Sequence, residues 1–120
     1  MIKKRIGNDF VLTWIINRDG LPLDFTGAFD EQLQLVHLGQ SREIPFQRTG
    51  NSIRIAFTPE LAPHSAIYSL QYFFKLPDPT FRGGYRNRAI DANVVEIVLY
   101  TSPDETRDTE VITNLKTNEN

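Results

Sequence analysis

Gly7-Asn8-Asp9-Phe10-Val11-Leu12-Thr13-Trp14-Ile15-Ile16-Asn17-Arg18-Asp19-Gly20-Leu21-Pro22-Leu23-Asp24-Phe25-Thr26-Gly27 is the stretch from which the fold is read. Alternate residues of a pleated strand share a face. Phe10, Leu12, Trp14 and Ile16 therefore lie together, with Thr13 and Asn17 opposite. Asp19-Gly20 follows at once. Glycine accepts the positive φ of a tight turn, so this pair predicts a hairpin or corner. The step Pro22-Leu23-Asp24-Phe25-Thr26-Gly27 then leads out of the first sheet.

The same period continues downstream. Residues 30–38 place Leu33 and Leu35 on one face and Gln32 and Gln34 on the other, and the parity change at Val36 and Leu38 predicts a bulge or a strand end. Residues 41–46 read as a short edge strand, limited by Pro45, which cannot donate to a ladder. After the Thr49-Gly50-Asn51 turn, Ile53, Ile55 and Phe57 alternate cleanly with Ser52, Arg54 and Ala56. Thr58-Pro59-Glu60-Leu61 reads as one helical turn with Thr58 as its cap.

Residues 66–76 carry Ala66, Tyr68, Leu70, Tyr72 and Phe74 on one face and Phe73 on the other, which predicts a central strand. Residues 77–88 read as a long polar connection punctuated by Pro and Gly. Residues 94–100 close the body, with Val95, Ile97 and Leu99 inward and Glu96 outward. Strands of this length at this spacing predict an all-β, Ig-like antiparallel β-sandwich, with a small open barrel as the competing architecture. Tyr68 reads either as a tyrosine corner or as an ordinary core aromatic. The domain is expected over residues 1–101, followed by a polar C-terminal arm over 102–120 whose composition predicts disorder.

Composition narrows the function. The chain has 120 residues, 40% of them hydrophobic and 11% aromatic, enough for one domain with a two-layer core. It has no cysteine, which excludes disulfides and thiolate metal sites. Met1-Ile2-Lys3-Lys4-Arg5 resembles the basic start of a signal peptide, but Gly7-Asn8-Asp9 interrupts it before any apolar segment, so secretion by that route is not expected. Nor does any apolar run approach the ~20 residues of a spanning helix. The net charge of −2 gives no basic stripe of the kind that nucleic-acid readers show. The clusters Lys3-Lys4-Arg5 and Arg82, Arg86, Arg88 read as solvated surface charge.

No residue pattern names a reaction. The two histidines, His37 and His64, lack the neighbouring ligands of a zinc site. His64-Ser65 are sequence neighbours, a poor basis for a triad. Asp30-Glu31 and Asp104-Glu105 would point to opposite faces of a strand, wrong for acid–base work on one bond. Gly83-Gly84 lacks the continuation and context of a phosphate loop. Neither catalytic residues nor a metal or cofactor site is therefore expected. Interaction is the better expectation: Phe81, Arg82, Tyr85, Arg86 and Arg88 combine aromatics and arginines on one connection, the preferred anchors of interfaces. They also suit sugar stacking or single-stranded nucleic acid. Val111, Ile112 and Leu115 are the apolar groups of the arm and could anchor it on a neighbouring subunit or on its own domain.

Gly7-Asn8-Asp9 before an apolar strand, followed by Arg-Asp-Gly-x-Pro-x-Asp-x-Thr-Gly, resembles the small Ig-like domains of tailed-bacteriophage virion proteins, such as the N-terminal domain of baseplate upper proteins. Residues 51–57, 66–70 and 94–99 resemble the later strands of that pattern, so the likeness spans about residues 7–100. The 81–88 connection is more elaborate than a minimal member carries. The resemblance implies an architectural role in a virion made in a bacterial cytoplasm, as repeated copies or a homo-oligomer that binds other virion proteins. A carbohydrate-binding or surface-adhesion module is the alternative, with carbohydrate as its partner. Neither reading involves nucleic acid, a membrane or catalysis.

Overall fold

The computed structural model describes residues 2–5, 7, 9–63, 66–98 and 108–117. The regular elements among them are ten strands: β1 (Ile2–Arg5), β2 (Phe10–Arg18), β3 (Leu21–Pro22), β4 (Phe29–His37), β5 (Gln40–Ile44), β6 (Gln47–Thr49), β7 (Ser52–Phe57), β8 (Ile67–Pro77), β9 (Tyr85–Val98) and β10 (Thr109–Leu115). They build two sheets, β1-β9-β8-β4-β5 and β10-β2-β7-β6, with β3 hairpinned onto β2. The order β9-β8-β4-β5 facing β2-β7-β6 is that of an Ig-like β-sandwich.

Alternation builds the core. Leu12, Trp14, Ile16, Ile53, Ile55 and Phe57 from one sheet meet Leu33, Leu35, Tyr68, Leu70, Tyr72, Phe74 and Ile90 from the other, all buried. Each such side chain contributes about 1.5–3 kcal/mol on burial. Phe10 stacks on Phe57 at 4.9 Å, and Phe25, from the segment after β3, packs edge-on against Phe74 at 5.0 Å. Asp19 and Gly20 join β2 to β3 with φ of 51° and 79°, the primed hairpin geometry that the Asp-Gly pair predicts. Residues 58–62 make a single turn, as expected: Ala62 N donates to Thr58 O at 3.0 Å, and Leu61 N also reaches the Thr58 hydroxyl. β8 is central, between β9 and β4.

Several expectations give way. Tyr85 to Arg88 belong to β9, in register with Pro77 to Phe74 of β8, so the connection contracts to residues 78–84. The β4 irregularity falls between Phe29 and Gln32, where Asp30 has φ 50°, and not at Val36, whose pairing is regular. The other alternative, a strand end, holds: β4 closes at His37, and Leu38 stands in a two-residue turn with Gly39, at φ 49° and 74°.

Lys4 is not surface charge. It is 2% exposed, with Nζ 5.0 Å from the Phe10 ring centroid. The amphipathic stem packs while the ammonium meets an aromatic face.

The expectation of disorder fails for residues 109–115, which form a strand. β10 lies parallel to β2, with Val111 beside Trp14 and Leu115 beside Arg18. β1 likewise runs parallel to β9. Other pairs are antiparallel, so two parallel flanking strands frame an antiparallel body.

Candidate functional site

The end of the sandwich where β8 turns into β9 carries the interaction residues expected from the sequence. Asp78 organises that turn: its carboxylate accepts from Thr80 N at 2.9 Å. Asp78 N donates to Gly84 O at 2.9 Å, and Gly84 N donates to Phe81 O at 2.9 Å. The hydrogen bonds from the Thr80 backbone and hydroxyl, with the Arg86 charge, hold the Asp78 carboxyl below its ordinary range. Arg86 Nη2 pairs with Asp78 Oδ2 at 3.2 Å, and its guanidinium lies 5.0 Å from the Phe81 ring centroid. Asp78, Arg86 and Phe81 are thus one unit. Phe81 remains 44% exposed, with Arg82 exposed beside it.

Strand alternation separates the other candidates. Tyr85 turns to the outer face of its sheet, edge-on to Phe29 at 5.8 Å. Lys75 Nζ stands 4.6 Å over the Tyr85 ring and pairs with Asp30 at 3.1 Å. Arg88 lies on the inner side, two residues from buried Ile90 and opposite Phe74. Burial, then the charges of Arg18 and Arg86, lowers the proton affinity of Arg88. The tip therefore unites Phe81, Arg82 and Arg86, while Tyr85 and Arg88 leave it in opposite directions.

The β10 residues divide in the same way. Val111 and Leu115 pack against the core of their own domain, which commits them in cis. Ile112 points outward and is 62% exposed.

The sequence reading missed two arrangements. The first is a polar clasp. Tyr72, fully buried, donates its hydroxyl to Glu31, which also accepts from Arg48 Nε. Burial opposes the Glu31 charge, yet the bonds from Arg48 and Tyr72 and the guanidinium charge bring its carboxyl below its ordinary value. Arg48 also covers the Phe25 ring at 5.3 Å. The second is the outer face of the β9-β8-β4-β5 sheet, where register aligns Glu43, Gln34, Gln71 and Asp91 in a row across four strands. Beside it runs a groove of about 570 Å³ bordered by Gln32, Phe73, Lys75 and Asn87. Its signal was present, since the polar members of each alternating strand share this face.

Among the described residues no three His, Cys, Asp or Glu side chains stand close enough to hold a metal ion. His37 stacks on buried Tyr68 at 4.9 Å, while His64 and Ser65 lie outside the described residues. No helix of the described residues is long and apolar enough to cross a membrane. No protein-family model matches the chain, and no curated protein matches its sequence.

Proposed function

We propose that this chain is a non-enzymatic structural component of a tailed-bacteriophage virion, working by protein–protein assembly at a baseplate, tail, fibre or capsid-surface position. The observation that carries the reading is the coincidence of two patterns. The residues on which the resemblance rests, 7–27, 51–57, 66–70 and 94–99, fall, where described, on β2, β3, β7, β8, β9 and the turns beside them, in an Ig-like order of strands. The tip supplies contact chemistry: an exposed aromatic ring backed by a guanidinium already fixed to Asp78, so little side-chain freedom is lost on docking.

Light scattering on the purified full chain across a concentration series, beside Phe81→Asp, tests the reading. It expects wild-type oligomers that Phe81→Asp disperses with its melting temperature preserved. Wild-type monomers at every concentration, unchanged on mixing with the other proteins of a purified virion, would overturn it.

The outer sheet face favours carbohydrate binding as the second reading. Tyr85 and Phe29 form an aromatic ledge on the same sheet face as the row of amides and carboxylates, several residues along the strands from it, a combination suited to the apolar faces and hydroxyls of sugars. A glycan array separates the two. Glycan capture by monomers that Tyr85→Ala abolishes, while Phe81→Asp leaves it intact, would select this reading.

A further inference from the structure

Three guanidiniums gather at the inner side of the same end of the sandwich. Arg86 and Arg88 share one face of β9, opposite Leu76 and Phe74 of β8. Arg18 continues the inward face of β2 past Ile16, beside Leu115 of β10. The charges of Arg18 and Arg86 both act on Arg88, so the three form one electrostatic cluster. Its composition is unbalanced. Asp78 pairs with Arg86, while neither Arg18 nor Arg88 pairs with a carboxylate among the described residues. Arg18 Nε is moreover buried without a hydrogen-bond partner there.

A buried donor left unbonded is costly, and like charges held together compound the cost. Chains that keep such groups together usually do so for a counter-charge. Among the described residues two positive charges remain after Asp78 is counted, so one carboxylate would balance only half of them. A dianionic oxoanion balances both, and its tetrahedral oxygens accept from two guanidinium forks at once.

We infer that Arg18 and Arg88, with Arg86 at the rim, form a binding site for a doubly charged phosphate or sulfate group. The site adjoins the tip through Arg86 but does not rest on the assembly reading, since Arg18 and Arg88 lie on the inner side of the strands and not on the exposed face of Phe81. Phosphate and sulfate share the chemistry that the cluster selects. The group is held as the free ion or as the terminal monoester of a larger molecule.

The test is a titration of the full chain, following arginine Nε–H resonances by NMR. Sodium phosphate should shift the Arg18 and Arg88 signals saturably, whereas sodium chloride at matched ionic strength should not. Arg88→Gln should weaken phosphate affinity about tenfold or more, the scale of a charge-assisted hydrogen bond. Arg82→Gln removes the same charge from the exposed tip and should leave affinity within about twofold. Arg18→Gln keeps the test open if Arg88→Gln fails to fold. Dimethyl phosphate, a monoanion, should bind at least about tenfold more weakly than phosphate. Glycerol 1-phosphate binding more tightly than inorganic phosphate assigns the group to a larger molecule, and the reverse order to the free ion. Absence of saturable shifts overturns the site. So does equal loss in Arg82→Gln and Arg88→Gln, or dimethyl phosphate binding as well as phosphate.

Discussion

The Trp14 indole donates its N–H to the Thr113 hydroxyl at 2.8 Å across 99 positions of sequence. This bond satisfies the polar atom of the largest fully buried side chain and ties β10 to the centre of the sandwich. Asp108 and Asn114 fasten the same strand by accepting from Val11 N and Gly20 N. These bonds join β10 to the core as part of the same sandwich.

Thr113→Val keeps the shape of the side chain but leaves the indole N–H buried and unbonded. Stability should fall by about 1–3 kcal/mol, read as a lower midpoint in urea with an unchanged slope. Trp14→Ala removes the ring as well and should cost about 3–5 kcal/mol. A Thr113→Val protein as stable as the wild type would mean that the bond is replaced by water.

Leu38 sits at φ 49° and is 80% exposed, so its side chain returns little for a backbone conformation that disfavours it by about 1–2 kcal/mol. Asparagine tolerates this region and suits the turn before Gly39. Leu38→Asn should raise stability by about 0.5–1 kcal/mol, seen as a higher denaturation midpoint. A drop would show that Leu38 makes a contact worth more than the strain.

The Glu31 clasp dictates an acid limb. Its carboxyl titrates below 4.5 in the folded protein, so the folded state favours the charged form. That contribution is complete above pH 4.5 and disappears as pH falls through the lower folded value. Asp24 and Asp78 act in the same direction from their own turns. Glu31→Gln should lower stability at neutral pH and flatten, without removing, the decline below pH 4.5. Melting curves of both proteins from pH 3 to 7 measure the difference, and parallel curves would contradict the clasp.

Gly20 has φ 79° with open space where a side-chain carbon would sit. Gly20→Ala meets no neighbour, so its cost is the backbone term alone, about 1–2 kcal/mol. A larger loss would place an unseen contact at that turn.

Local patterns were legible in the sequence. Phe10 to Ile16, Ile53 to Phe57 and Asp19-Gly20 announce themselves because alternation and positive φ act over a few residues. The start of β9 did not. Its inward positions before Ile90 are Arg86 and Arg88, charged because they lie at the open end of the layers, so the segment reads as loop. Thr113 hid β10: the inward position is polar to meet the Trp14 indole, while apolar Ile112 faces out. Lys4 was illegible because its cover comes from Phe10 and from a strand that pairs some ninety positions away. The interface candidates read as aromatics and arginines of one connection, and only the pleat of β9 divides them among tip, outer face and inner cluster.

The parallel seat of β10 on β2 has a consequence for biosynthesis. β2 leaves the ribosome early, and the strand that completes its flank is made about a hundred codons later. At about 5–20 residues per second, the nascent chain spends seconds with an unprotected edge and an unanswered indole. The finished sandwich therefore waits for synthesis to reach residue 115, and any chaperone demand falls in that interval, when an open edge invites pairing with another chain.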